Sequence, residues 1–189
     1  MPANNFILFK SLLNDSYDSF VKKLFYYHSL INNKNEEGET LLHFCSFYGL
    51  IEQYYALINI GAEIHKTKSG NSLLHYASLS GKDNFLVIEL IKMGISPTEK
   101  NIFNETSLHC ASNEKIAHYM NVWCQYNNIN VFELLDINEN TVAHSCKMHG
   151  NIDGAKYWIT NYPELEFKVN VFNKTWKQCK RKKYTNGLY

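Results

Sequence analysis

The sequence predicts an all-α fold, a repeat solenoid of stacked helix-turn-helix units joined by β-hairpin-like loops, and three observations carry that prediction. The first is a recurrence. Gly38-Glu39-Thr40-Leu41-Leu42-His43-Phe44-Cys45-Ser46-Phe47-Tyr48-Gly49 returns 32 residues later as Gly70-Asn71-Ser72-Leu73-Leu74-His75-Tyr76-Ala77-Ser78-Leu79-Ser80-Gly81. The second is its continuation. A hydroxyl residue three positions ahead of a histidine recurs as Thr40/His43, Ser72/His75, Thr106/His109 and Thr141/His144, with histidine spacings of 32, 34 and 35. Such a period marks an array whose units bury their apolar flank only against a neighbour. The third is a shared order of residues after each histidine: a small residue (Cys45, Ala77, Ala111, Cys146), in three copies a glycine (Gly49, Gly81, Gly150), and then an apolar stretch at 54–58, 85–91, 117–123 or 155–159. Two short helices separated by a glycine turn fit that order.

Residues 1–32 form an N-terminal helical cap, because Leu8, Leu12 and Leu13, and then Phe20, Val21, Leu24 and Phe25, recur at helical spacing on either side of Asn14-Asp15-Ser16. Asp15 or Ser16 serves as the N-cap of the second helix. Repeats occupy 33–66, 67–99, 100–134 and 135–169, the last two degenerate. Asn173-Lys174-Thr175-Trp176-Lys177-Gln178-Cys179 opens a fifth copy that stops after its first helix. Residues 170–189 therefore read as a capping half-repeat with a basic tail.

The hydroxyl-Leu-Leu-His core of the first two copies, with Ile60-Gly61-Ala62 and Met93-Gly94-Ile95 at the repeat ends, resembles the ankyrin repeat over roughly residues 35–180. The resemblance implies structural roles for the histidine, which ties the turn to the helix start, and for the preceding threonine as a cap. It also implies that hairpin tips and the exposed face of the first helices line one concave, protein-binding side. Departures are informative. Proline is missing from the helix start, where Leu41, Leu73, Ser107, Val142 and Trp176 stand, so one pre-set backbone angle is lost. Gly38 and Gly70 tolerate a positive φ at the hairpin turn, and Asn104 can do the same, but Glu139 cannot without strain, which predicts a distorted fourth hairpin. The third copy lacks the inter-helix glycine, which predicts a shortened first helix or turn.

Composition narrows the function. No stretch approaches the ~18 apolar residues that cross a bilayer, and the N-terminus has no signal-peptide pattern. A protein acting in the cytoplasm, or in the nucleus if Lys180-Arg181-Lys182-Lys183 is an import signal, is the expectation. Five cysteines, two of them (Cys45 and Cys146) in the repeat's small-residue slot and Cys179 beside it in the last copy, fit a reducing compartment without disulfides. Eighteen lysines against the single Arg181, with abundant Asn, Ile, Tyr and Phe, point to an AT-rich genome such as an intracellular bacterium, a protozoan or a large DNA virus. Of the 19 basic residues six lie in 174–189, which has no acidic residue; the remainder sets 13 basic against 18 acidic, a net −5.

Chemistry-bearing motifs are few. His43/Cys45, His109/Cys110 and His144/Cys146 pair the ligand types of zinc, but stacked helices stand about 8–10 Å apart, so successive histidines cannot converge on one tetrahedral ion. No Cys/His pair is distinguished from its repeated siblings as an activated nucleophile, and no phosphate-cradling or hydrolase motif occurs. The expectation is a non-enzyme without metal, cofactor or small-molecule substrate. Single-stranded nucleic acid would need a basic groove with stacking aromatics, and only the tail is basic, so a nucleic-acid-associated role through that tail is the alternative.

The residues expected at the binding surface are Glu36, Glu37, Glu39, Phe47 and Tyr48 in the first copy; Lys68, Asn71 and Leu79 in the second; Ile102, Phe103 and Glu105 in the third; and Ile137, Asn138, Asn140, Met148 and His149 in the fourth. Apolar Ile102, Phe103 and Ile137 at tips have no core to fill unless the tips pack on one another, and such side chains build interface hot spots. The expected function is a stand-alone adaptor or competitive inhibitor that binds a protein inside a host cell. Met120-Asn121-Val122-Trp123-Cys124, with Ile129-Asn130 after it, resembles short pathogen- or virus-encoded ankyrin proteins that imitate the IκB inhibitors, which implies sequestration of a transcription factor.

Overall fold

The computed structural model describes residues 6–182 of the chain. Among the described residues the fold is all-α, with nine α-helices, several 3-10 turns and no strand. The helices are α1 (Phe6–Asn14), α2 (Tyr17–Tyr26), α3 (Leu41–Tyr48), α4 (Ile51–Asn59), α5 (Leu73–Ser80), α6 (Asn84–Lys92), α7 (Glu114–Tyr126), α8 (Val142–His149) and α9 (Ile152–Asn161). They pack in two rows. One row runs from α3 to α5, on to the 3-10 turn Ser107–Cys110, then α8 and the 3-10 turn Trp176–Gln178. In the other row α2 packs on α4, α6 on α7, and α7 on α9, while α3/α4, α5/α6 and α8/α9 pair across the rows. A single apolar core threads between them, from Leu8 and Leu24 through Leu42, Leu74, Leu108 and Val142 to Trp158 and Leu165.

The first helices of the first three copies begin the same way, because the hydroxyl-x-x-His spacing closes a capping box, while at α8 only the Thr141 hydroxyl meets His144 Nδ1, at 2.7 Å. The backbone N–H of Thr40 donates to His43 Nδ1 at 3.1 Å, that of Ser72 to His75 at 3.2 Å, and that of Thr106 to His109 at 3.0 Å. In the last copy Gln178 takes the histidine's place, its Oε1 accepting from Thr175 N–H at 2.9 Å. With Nδ1 accepting, the proton sits on Nε2. That nitrogen faces the next copy: His75 Nε2 donates to Glu105 O at 3.1 Å and His144 Nε2 to Lys174 O at 2.9 Å. For His43 and His109 the corresponding carbonyls, Asn71 and Asn140, face the ring beyond strict hydrogen-bond geometry. The histidine thus joins local turn to neighbouring unit. Ahead of the stack, the Ser16 hydroxyl caps α2 by accepting from Ser19 N–H. Asp15, the other candidate, instead gathers the Ser11 hydroxyl and the Lys23 ammonium.

Three first helices end on glycine in the left-handed conformation, Gly49 (φ 69°), Gly81 (φ 63°) and Gly150 (φ 89°). The third copy has no such glycine, and its first helix shrinks to the single turn Ser107–Cys110. The backbone of Ala111 then lies against α9, so close that a Cβ on Gly154 would stand 1.9 Å from the Ala111 carbonyl oxygen. Glycine inside a helix is here the condition for close approach of two backbones.

The fourth hairpin corrects one expectation. Glu139 adopts φ 57°, matching Asn104 (57°) and Asn173 (54°), and its N–H closes the turn on Asp136 O at 3.0 Å as Gly38 N–H does on Asn35 O. The turn is undistorted because hydrogen bonds at both ends over-determine it, and the strain is carried by the residue. Left-handed backbone costs a non-glycine residue ~1–2 kcal/mol, and glycine returns ~0.5–1 kcal/mol of that as unfolded-state entropy. Glu139→Gly is therefore expected to raise stability by about 0.5–1 kcal/mol in urea unfolding; an unchanged or lowered midpoint would contradict a strained Glu139.

Candidate protein-binding surface

Five turns lie side by side along one edge of the stack, and each is built by its first residue. Asn35, Asn101, Asp136 and Asn170 accept through Oδ1 from the N–H groups two and four residues on, at 2.7–3.2 Å, and Thr67 Oγ1 takes the second of these bonds from Asn71 N–H. Such side-chain turns engage the N–H of the second tip residue and leave the first tip N–H and the second tip carbonyl to bond outward. One backbone bond then links each tip to the next: Lys68 N–H to Glu37 O, Ile102 N–H to Ser69 O, Ile137 N–H to Phe103 O, and Val171 N–H to Asn138 O, all at 2.9–3.1 Å.

Tip chemistry changes along this ladder. The first tip, Glu36-Glu37, is acidic and exposed, and Lys68 is exposed on the second. From the third onward each tip carries apolar side chains open to solvent: Ile102 is 60% exposed, Phe103 48%, Ile137 60%, Val171 52% and Phe172 64%. The tips bond to one another through backbone, and their apolar side chains stay outside. Val171 and Phe172 were not among the expected surface residues, although Asn170-Val171-Phe172-Asn173-Lys174 aligns with Asn101-Ile102-Phe103-Asn104-Glu105 and would have revealed them.

Of the other expected residues, Phe47, Tyr48, Leu79, Asn138 and Met148 are half-buried. Five are buried, and the expectation that they lie open on the surface is corrected: Glu39, Asn71, Glu105, Asn140 and His149 are at most 4% exposed. Four of these stand just ahead of a hydroxyl cap, where the turn re-enters the stack and its side chain meets the next unit. Glu39 accepts from Tyr76 Oη at 2.6 Å, Asn71 Oδ1 from Asn101 Nδ2 at 2.8 Å, and Asn140 Oδ1 from Asn170 Nδ2 at 2.7 Å. Glu105 is met by His149 Nε2 at 3.3 Å and Lys182 Nζ at 2.7 Å. Burial alone would raise the Glu105 carboxyl, but the hydrogen bond and charge of His149 and the Lys182 ammonium hold it well below the usual carboxylate range.

The basic tail is partly engaged. Lys177 pairs with Glu166, Lys147 lies over the Trp176 ring at 5.4 Å, and Lys182 is held by Glu105, while Lys180 is exposed. Lys183 lies outside the described residues. Concavities among the described residues open elsewhere. An apolar groove of about 280 Å³ runs between α6 and α7, lined by Ile88, Ile91, Tyr119, Val122, Trp123 and Tyr126. A polar one of about 350 Å³ between α7 and α9 holds the His118 Nδ1···Tyr157 Oη contact at 3.2 Å. Among the described residues no group of three or more His, Cys, Asp or Glu side chains gathers to hold a metal ion. The five cysteines are buried thiols outside any disulfide, and burial pushes those of Cys45, Cys124, Cys146 and Cys179 up, away from thiolate. No helix among the described residues is long and apolar enough to cross a membrane. No family model matches the chain, and no curated protein matches its sequence.

Proposed function

We propose that the chain is an ankyrin-type solenoid acting as a non-catalytic protein-interaction module, with its partner seated across the hairpin tips and the adjoining inner face of the first helices. The observation that supports this is the apolar row of Ile102, Phe103, Ile137, Val171 and Phe172, exposed on turns that are rigidly bonded to one another. Side chains of this kind on a pre-organised frame lose little ordering entropy on binding. The acidic first tip adds orientation and encounter rate more than affinity.

Affinity purification from the native cell, followed by binding of the recovered partner to Phe103→Ala and Ile137→Ala, tests the reading. Each truncation of an interface anchor is expected to weaken binding roughly tenfold, ~1–2 kcal/mol, with the thermal midpoint unchanged because both side chains are exposed. Undiminished partner affinity in the double variant would remove the tips from the interface. The narrower role, sequestering a transcription factor, draws no support from the segment that prompted it, since Met120 and Cys124 sit in the core of α7. Engagement of Lys177 and Lys182 likewise lessens the case for a nucleic-acid role of the tail.

A further inference from the structure

The end of the described chain folds back against the C-terminal end of α8. Lys182 N–H donates to Met148 O at 2.7 Å, and the Arg181 guanidinium lies over Gly150. The Lys182 ammonium reaches Glu105 Oε1 across 77 residues of sequence. Position-by-position comparison of the copies shows why that carboxylate is available. Glu39, its equivalent in the first copy, is satisfied from within the stack by Tyr76 Oη and Asn35 Nδ2, each at 2.6 Å. Opposite Glu105 the position of Tyr76 is held by Ser145, whose short side chain turns to Asp136 Oδ2 at 3.5 Å. The space is taken by His149, one helical turn further on, and by Lys182. Glu105 is 2% exposed, while the lysine side chain that meets it is 34% exposed. A buried carboxylate is therefore open on one side, toward a cation that arrives from solvent.

We propose that Glu105, His149 and the Met148 carbonyl form a receptor for a lysine side chain on an extended segment, occupied in this conformation by the chain's own Lys182, so that the tail competes with a lysine-bearing stretch of the partner. The carboxylate takes the ammonium, and the carbonyl takes the backbone N–H of the same residue. This deepens the protein-interaction reading by naming the chemistry of part of the partner. Its test needs no partner protein, so failure here and failure of the tip interface are separately visible.

The probe is a fluorescent synthetic peptide carrying Lys180-Arg181-Lys182 between glycines, titrated by anisotropy into three proteins: the full chain, full-chain Lys182→Ala, and a chain ending at Lys180, which keeps buried Cys179 and the 176–178 turn. The last two are expected to bind at least tenfold more tightly than the full chain. Norleucine in place of the peptide's final lysine should abolish the difference, and Glu105→Gln in the shortened chain should cost tenfold or more. Equal binding by all three proteins, no binding by the shortened chain at millimolar peptide, or full binding of the norleucine peptide would overturn the proposal. If Glu105→Gln does not fold, the norleucine comparison decides alone.

Discussion

Acidification from pH 7 to pH 4 is expected to unfold this chain cooperatively. Burial, offset only in part by facing carbonyls and carboxylates, holds His43, His75 and His109 at about 4 against an ordinary 6.5, and His144 is lowered for the same reason. Each ring must stay neutral, because Nδ1 accepts a backbone N–H or a hydroxyl proton and has no room for a proton of its own. Between pH 6.5 and pH 4 the unfolded chain binds protons that the folded chain refuses, so stability is fully present above pH 6.5 and drains as pH falls through that window. A gap of this size is worth on the order of 3 kcal/mol per imidazole, and a whole domain typically holds only ~5–15 kcal/mol. Glu105, whose carboxyl is held down in the folded state, adds its own loss below about pH 4.5. Thermal midpoints at pH 7, 5.5 and 4.5 should fall steeply and together by circular dichroism and tryptophan fluorescence. A flat profile down to pH 4.5 would mean that the buried histidines are not held neutral by the stack.

Trp158→Ala is expected to be the most damaging single core substitution, costing about 3–5 kcal/mol, with Trp158→Phe costing less than half of that. The indole is fully buried in α9, edge-on to Tyr157 at 5.5 Å and beside Tyr162 at 6.2 Å. Its loss leaves a cavity that the neighbourhood is poorly placed to fill, because α9 is pinned against the Ala111 backbone at Gly154. Urea unfolding measures the change directly. A shift below ~1 kcal/mol would show that this end of the stack collapses freely around the missing ring.

Several of these features are legible in the sequence. The capping box is readable because Thr40 and His43 lie within one helical turn, where side-chain and backbone partners are set by spacing alone. The contraction of the third copy comes from a missing glycine at a position that demands a left-handed backbone. The fate of Glu139 is not legible, since intrinsic preference opposes the turn and the hydrogen bonds that Asp136 accepts, with that to the neighbouring tip, prevail. The buried Glu39, Asn71, Glu105 and Asn140 read as tip residues because one position separates them from the exposed pair, and that margin is smaller than alignment of the copies resolves.

The division has a physical origin. Helical class, element order, caps and the left-handed turns held by glycine came from the amino-acid sequence by itself, because each depends on residues within four positions of one another or on a period repeated down the chain. The partners of the buried polar groups belonged to the tertiary structure alone. Whether Glu105 meets a tyrosine, as Glu39 does, or a lysine from 77 residues away depends on which side chain the stacking brings opposite, and on Ser145 being too short to answer.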